Sequence, residues 1–594
     1  MAQHLIDAID RNGLDKIEPD VTDAAFQVME QRYFIRDENS KIIEDPLGMY
    51  SRVAGVVDKP NRKYGYSHED EYYGLMSTGT FIPNSPCLMN AGTDFGVLTA
   101  CFVQGMEDKL LGPGSIMDCK HRAMSLQNQG GGVGYNFSKI REKGSPVRGN
   151  PGAAKGPVSV LYSINYDMRM MLQGAKRPPA NMGILNIDHP DIKEFIAAKA
   201  DPEALDCFNI SVGISDAFME AVQRDGGWQL KSRYNGEITE TVRAKELFDL
   251  VADNSIKYGD PGFIFIDRMN RDNPSPHLGD IECTNPCGEV PLLPNEACCI
   301  GSINLFKFVT NDDKFDYDGL ARVVEMATEF LDNVITMSEF PFEEVAWMME
   351  NNRKLGLGFM GFADALSAMG IRYGSDDSYT FAHKISHILR QHSYSKSEEM
   401  GRERGKATWL NRRNATTMCI APTGTIAMFA NCSYSIEPHF MVVHIKDVMR
   451  ERGNFPLVMV SPSFRRAMNN LVDANEFKRI CEDIAEEGHL DVPGVPEEIK
   501  DIFPGAYDVN WKDHLKMQAV FQDYVDLAVS KTINLPMDFD TDRIKNEVYI
   551  NAWRWGLKGV TYYKQGSKND VIKVGMKNYN KEIDPACIDG ACSI

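Results

Sequence analysis

Positive charge is what this sequence is short of. Its 594 residues carry 64 Lys and Arg against 84 Asp and Glu, a formal net charge of −20. Sequence-independent binding to a phosphate backbone needs clustered cations that displace counterions, so nucleic acid is excluded as a general partner, while a local anion site stays possible. No apolar run reaches membrane-spanning length, and the opening "MAQHLIDAIDRNGLDKIEP" has neither a basic leader with an apolar core nor a small-residue cleavage site. A cytoplasmic protein without a membrane contact is expected. Cysteine is too sparse, at 13 residues, for a disulfide scaffold, so each thiol is a core residue, a metal ligand or a redox group. Repeats and low-complexity linkers are absent as well, which argues against a string of small domains.

What is present is a composition with ample core, 43% hydrophobic and 25% charged. Residues from about Thr22 to Val56 read as helical, with a polar turn at "RDENSKIIEDPLG". From Phe81 onward, "ACFVQG", "GILNI", "NISVGIS" and "PGFIFID" read as strands between helical patterns such as "LARVVEMATEFLDNVITM", an α/β class. "QNQGGGVGYNF", "QGAKRPPANMG" and "APTGTIAMF" read as loops that carry function. The expected organisation is a helical segment over residues 1–80, one catalytic domain over 81–566 and a flexible tail over 567–594.

The chemistry concentrates in "CTNPCGEVPLLPNEACCIGSINL", which holds Cys283, Cys287, Cys298 and Cys299 beside Asn285 and Glu289. Zinc fits poorly, because the adjacent Cys298 and Cys299 cannot easily share one tetrahedral ion, and no metal site is expected. In "NPCGE" an amide, a thiol and a carboxylate alternate, so an extended segment points all three to one side. Those types suit an orienting amide, a nucleophile or radical carrier, and a base; a buried hydrogen-bonded turn is the equal alternative from these five residues alone. "PTGT", with Pro422, Thr423, Gly424 and Thr425, offers backbone donors and hydroxyls to a phosphate. The chain ends in "CIDGACSI", where Cys587 and Cys592 lie among small and polar residues without apolar periodicity, a mobile and exposed thiol pair. Cys119, Cys207, Cys419, Cys432 and Cys481 lie singly and read as packing.

"NPCGE" followed by "EACCIGSINL", with "NSPCLMNAGTDFGVLTACFV" upstream and "NRKLGLGFMGFADAL" and "APTGTIAMF" downstream, resembles the catalytic subunit of ribonucleotide reductase from Thr22 to the C-terminus. The resemblance implies a ten-stranded α/β barrel of two half-barrels with a finger loop at its centre. It implies that Cys287 carries the thiyl radical and takes the 3′ hydrogen of the ribose, that Glu289 takes the 3′ hydroxyl proton, and that Asn285 hydrogen-bonds the ribose hydroxyls. Cys101 would protonate the departing 2′ hydroxyl and end in a disulfide with Cys298, which counting back from Gly301 favours over Cys299. Cys87, Cys283 and Cys299 stay as packing. Substrate would lie against Asn84, Ser85, Ala100 and the Pro422–Thr425 loop. Effector nucleoside triphosphates would be read by Asp108 and Arg177, although Lys176 and Arg177 without that context read as a solvated basic turn. A homodimer is implied, and a separate N-terminal activity-control domain is not expected.

Two features bear on the radical source. Tyr562 and Tyr563 in "GLKGVTYYKQGS" could reflect β propensity alone, but at this place they resemble the radical-transfer tyrosines of class I. The four residues between Cys587 and Cys592 also resemble class I tails. Although the body has class II character, these two features imply a class I-like subunit with no tightly bound cofactor and a radical from a metal-bearing beta subunit, with adenosylcobalamin as the alternative. The tail pair would reduce Cys101–Cys298 and be reduced in turn by thioredoxin or glutaredoxin, since exchange needs an accessible thiolate and a tether raises its local concentration.

Overall fold

"CFVQ", "NMGILN" and "FNISVGI" are short apolar runs buried almost throughout, as strands covered on both faces are. The computed structural model describes residues 21–565, apart from 175–177, 202–203, 407–408, 451–452 and 470. In chain order the described strands are β1 (Phe81–Pro83), β2 (Cys101–Gln104), β3 (Gly132–Asn136), β4 (Asn181–Asn186), β5 (Phe208–Ile214), β6 (Gly227–Lys231), β7 (Ile238–Arg243) and β8 (Gly262–Phe265). They continue with β9 (Cys283–Thr284), β10 (Pro291–Leu292), β11 (Glu296–Asn304), β12 (Leu355–Met360), β13 (Val443–Arg450), β14 (Gly453–Val460), β15 (Thr532–Leu535) and β16 (Gly559–Lys564).

Ten of them form one mixed sheet in the order β1-β11-β2-β3-β4-β5-β8-β16-β15, with β12 also paired to β11. β2, β3, β4, β5 and β8 run parallel to one another in succession. β11 and β12 are parallel, as are β15 and β16, and the sets meet antiparallel at β11/β2 and β16/β8. The segment 416–420 continues beyond β12, with Leu357 N donating to Thr417 O at 2.8 Å and Ile420 N to Ala528 O at 3.1 Å. The molecule is therefore mixed α/β, with parallel strands buried under crossover helices as parallel sheets require.

The N-terminal part is helical, as its capping signals dictate. Thr22 caps the helix Asp23–Arg32 by accepting from Ala25 N at 3.2 Å. Asp45 caps Pro46–Val57 by accepting from Gly48 N at 2.7 Å, with Pro46 at the first helical position. The long helix Tyr317–Met337 buries Leu320, Val324, Ala327 and Leu331 along one side, the 3–4 spacing of an apolar stripe against a sheet. No helix among the described residues is long and apolar enough to cross a membrane.

One expected loop is a strand. "GGGVGYNF" supplies β3, which sits between β2 and β4 in the sheet. Glycine weakens a strand interior unless another backbone comes close, and here one does. A Cβ on Gly134 would stand 1.9 Å from the Thr284 carbonyl oxygen, and one on Gly132 would stand 2.9 Å from Pro286 Cγ. The β9–β10 hairpin lies on this bare face. Asn136 Nδ2 donates to Glu282 O at 2.6 Å and Asn209 Nδ2 to Pro286 O at 3.0 Å, which fixes the hairpin at both levels.

Gly134→Ala is accordingly expected to push the hairpin off β3, lowering stability by about 2 kcal/mol or more and abolishing turnover. Gly424→Ala, where an added Cβ meets no atom within 4 Å, should change stability by less than ~0.5 kcal/mol. Denaturation midpoints of the two variants check this; equal midpoints would contradict the close approach.

Candidate active site

β9 and β10 pair antiparallel through Thr284↔Pro291 and Cys283↔Leu292, so the residues between them must reverse the chain. The "NPCGE" segment is thus a hydrogen-bonded turn, the equal alternative from its five residues, and not the extended run that its alternation suggests. Gly288 N donates to Asn285 O at 3.1 Å and Asn285 N to Val290 O at 3.2 Å, with Gly288 at φ 85°. The turn buries Asn285 and Glu289 and leaves Cys287 exposed at the tip. All three still line one cleft of about 250 Å³. Convergence comes from the reversal, not from strand period.

Two cysteines meet at the seam of the sheet. Cys101 on β2 and Cys298 on β11 are direct cross-strand partners, a position whose Cα separation of roughly 4.5–5.5 Å suits a disulfide. Both are thiols here, and both are buried. Asn285 Nδ2 donates to Cys101 Sγ at 3.2 Å, while Asn285 Oδ1 accepts from Val290 N at 3.0 Å, so the amide is held between hairpin and seam. Burial pushes both thiols well above their ordinary range, and Glu289 adds to this at Cys101. Cys299 faces the opposite side of β11, in the main core, as its neighbour parity requires.

Glu289 is pushed up to about 7 by burial, against the lowering effect of backbone hydrogen bonding and of Asn285. Its Oε2 has no hydrogen-bond partner among the described residues. A buried carboxylate with its pKa raised towards neutrality, on a residue that lines the cleft and has one unpartnered oxygen among the described residues, is chemically able to exchange a proton near neutral pH.

The opposite walls are the loops expected from sequence. Asn84 is pinned by its Nδ2 to Ile300 O at 3.1 Å and caps Cys87 N at 3.1 Å, and Ser85 Oγ pairs with the Tyr33 hydroxyl at 2.8 Å. Ala100 accepts from Gly132 N at 2.8 Å. Thr423 adopts a positive φ of 56° and its Oγ1 accepts from Ser435 N at 2.8 Å, which holds Pro422, Gly424 and Thr425 open to the cleft. Asn84, Ser85, Ala100, Cys101, Asn285, Cys287, Glu289 and Pro422–Thr425 all line that one cleft, with Cys298 directly behind it.

Other expected residues lie elsewhere. Asp108 is paired with Arg141, Nε to Oδ2 at 2.6 Å. Tyr562 and Tyr563 do not line the cleft. Alternation on β16 sends them to opposite faces: Tyr562 is buried edge-on against Tyr549 at 5.9 Å, and Tyr549 stacks on Phe263 at 3.8 Å, while Tyr563 is half-buried. Arg177, Cys587 and Cys592 lie outside the described residues. Sequence reasoning missed Ser302, whose buried hydroxyl lines the cleft without a hydrogen-bond partner among the described residues; its place two and four residues beyond Ile300 and Cys298 on β11 was the available signal.

Comparison with known proteins places this arrangement. Residues 99–412 and 411–563 match the family described as ribonucleotide reductase, barrel domain, and residues 20–96 match ribonucleotide reductase, all-alpha domain. The chain is 36% identical to the vitamin B12-dependent ribonucleoside-diphosphate reductase of Thermoplasma acidophilum, over 96% of this chain and 85% of that one. It is 38% identical to the enzyme of the same description from Mycobacterium tuberculosis, over 92% and 80%. With the ribonucleoside-diphosphate reductase large subunit of Caenorhabditis elegans it shares 27% over 91% and 75%. Among solved structures, the class Id ribonucleotide reductase alpha subunit of Actinobacillus ureae superposes with a TM-score of 0.74 at 20% identity, over 92% of this chain and 98% of that one, a likeness of fold. The chain belongs to the ribonucleotide reductase family. Within it, this is a large, catalytic subunit.

The Glu289 environment has a stability consequence. Its folded pKa of about 7 lies above the ordinary 4.5, so the cost of burying the charge is absent below about pH 4.5 and grows as pH rises to about 7, reaching at most ~3 kcal/mol. Glu289→Gln should therefore match the parent in stability at pH 4, exceed it by up to ~3 kcal/mol at pH 8, and lose turnover. Urea unfolding at the two pH values checks this; a difference independent of pH would contradict it.

Proposed function

We propose that this ribonucleoside-diphosphate reductase receives its radical at Cys287 from adenosylcobalamin and reduces ribose with the thiols of Cys101 and Cys298. The carrying observation is the direct cross-strand pairing of Cys101 with Cys298, beneath a hairpin whose amide Asn285 already touches Cys101. In the reaction, Cys287 removes the 3′ hydrogen and later returns it, and Glu289 takes the 3′ hydroxyl proton through its open oxygen. Cys101 protonates the 2′ hydroxyl, which leaves as water. Two electrons come from the two thiols, which close to a disulfide. Asn84, Ser85 and the Pro422–Thr425 loop hold the diphosphate end of the substrate.

Adenosylcobalamin supplies a carbon-centred radical when its cobalt–carbon bond opens. The turn's tip is compatible with such a donor in one respect: Cys287 is exposed, and a Cβ on the neighbouring Gly288 would meet no atom within 4 Å, so the thiol can be approached from outside the turn. The metal-bearing beta subunit expected from Tyr562, Tyr563 and the tail spacing finds no support in the relatives at 36–38% identity, which are described as vitamin B12-dependent. A second reading, radical entry from such a partner, rests on the tyrosine pair and the spacing of Cys587 and Cys592, and Tyr562 is turned into the core. Asp108 and Arg177 as effector contacts, the homodimer, and the thioredoxin or glutaredoxin that re-reduces Cys587 and Cys592 belong to this same proposal by resemblance.

The purified chain with adenosylcobalamin, a ribonucleoside diphosphate and a dithiol is expected to turn over without another protein, and Tyr562→Phe to retain at least half the parent rate. Dependence on an added subunit, together with loss of turnover in Tyr562→Phe, would overturn the cobalamin reading in favour of the second.

A further inference from the structure

Next to Cys298, and unused by the chemistry above, lies an ion pair buried entirely from solvent. Lys354 Nζ donates to Glu296 Oε2 at 2.7 Å, and both side chains are 0% exposed. Taking two charges out of water costs several kcal/mol per ion, so such a pair is weak evidence for stability and calls for another role. Its placement on the strands suggests one. Glu296 precedes Cys298 by two residues on β11, so the two side chains share a face. The β11/β12 register aligns Cys299 with Leu355, and Cys299 N donates to Lys354 O at 3.1 Å, which sets Lys354 beside Cys298 on the neighbouring strand.

The two charges are not equally exposed to the sulfur. Glu296 also accepts from Leu293 N at 2.9 Å and from Asn352 Nδ2, which is itself held by Ser275 Oγ at 2.8 Å to Asn352 Oδ1. Three donors therefore spread the carboxylate charge, leaving the ammonium the stronger influence on Cys298. Burial raises the Cys298 thiol, Lys354 lowers it, and Glu296 opposes Lys354 more weakly. Access differs too: Cys101 lines the cleft and is 5% exposed, whereas Cys298 is 0% exposed and lies behind it.

We propose that the buried Lys354–Glu296 pair makes Cys298 the leaving thiolate when the interior disulfide is reduced, so that an incoming dithiol attacks the sulfur of Cys101. One thiolate of the dithiol forms a bond to Cys101 Sγ, and the Cys101–Cys298 bond breaks with its electron pair on Cys298 Sγ beside the ammonium. The second thiolate then closes the dithiol into its own disulfide and releases Cys101, and each freed thiolate takes a proton. The dithiol is oxidised and the pair is reduced. A leaving thiol with a lower pKa leaves faster, so Lys354 is a positioning residue for re-reduction of the enzyme. This inference rests on the proposed Cys101–Cys298 chemistry.

The test compares the parent, Glu296→Gln, and the double variant Lys354→Met with Glu296→Gln, which removes both charges. Each is prepared with Cys587→Ser and Cys592→Ser, so that the tail cannot reduce the seam, is oxidised by one round of substrate without reductant, or with diamide where a variant does not turn over, and is then reduced with dithiothreitol and quenched with iodoacetamide at intervals. A parallel reduction with 2-mercaptoethanol, followed by peptide mass mapping, locates the mixed disulfide. The double variant should be reduced about five-fold or more slowly, Glu296→Gln should be reduced faster than the parent, and the parent adduct should sit on Cys101. Equal rates in all three, slowing in both variants alike, or an adduct on Cys298 would overturn the proposal. Should the double variant fail to fold, the sign of the Glu296→Gln effect and the adduct position decide it. Absence of any Cys101–Cys298 disulfide after substrate turnover would instead remove the function on which the inference rests.

Discussion

The register that sets Cys298 opposite Cys101 is the constraint on which the rest of this structure depends. It occurs where β11 meets β2 antiparallel, one of the two places where the sets of parallel strands join. An antiparallel seam allows two side chains to face each other directly, whereas parallel strands offset their pairs along slanted hydrogen bonds. A slip of one residue would send Cys298 to the outer core and bring Cys299 to the cleft side, because side-chain direction alternates. The long β11 resists that slip by pairing along its length with β2, β12 and β1.

A second constraint follows from the first. Chemistry at a seam inside a sheet requires something to enter the enclosed space and carry a reactive atom outward again. The β9–β10 hairpin does this, and it can do so only because β3 presents glycines to it. Gly132 and Gly134 give up side-chain packing so that the ring of Pro286 and the backbone of Thr284 can lie against the strand. The tip then reaches solvent at Cys287, while its flanks place Asn285 on Cys101 and bury Glu289. One short turn thereby separates an exposed thiol, the radical carrier of the proposed reaction, from a buried carboxylate, its proposed base.

Much of this was legible from the sequence. The strands "ACFVQG", "GILNI", "NISVGIS" and "PGFIFID" showed as short apolar runs, the N-terminal helices through the helical pattern broken by the polar turn at "RDENSKIIEDPLG", and the cleft walls through "NSP" and "PTGT". Four features were not decided there. The glycine strand β3 reads locally as a loop, since the reason for its glycines lies some 150 residues later in the hairpin. The "NPCGE" segment reads equally as extended or as a turn, and only the observed pairing of Cys283–Thr284 with Pro291–Leu292 decides for the turn. The Tyr562–Tyr563 pair reads as a radical relay when taken as two neighbouring phenols, but a strand turns neighbours apart, and only the structure shows which of them faces the core. The buried Lys354–Glu296 pair was also hidden, as neither residue stands out in "NRKLG" or "NEACC".

The central claim, that the seam pair supplies the electrons for ribose reduction, is tested most directly by stoichiometry. Fully reduced chain lacking Cys587 and Cys592 as serines is given substrate and radical source but no reductant, and deoxyribonucleotide and disulfide-linked peptides are counted together. One product per chain, matched by one disulfide joining Cys101 to Cys298, is the predicted result. Product formed without that disulfide, or with the disulfide on Cys299 or Cys419, would contradict it.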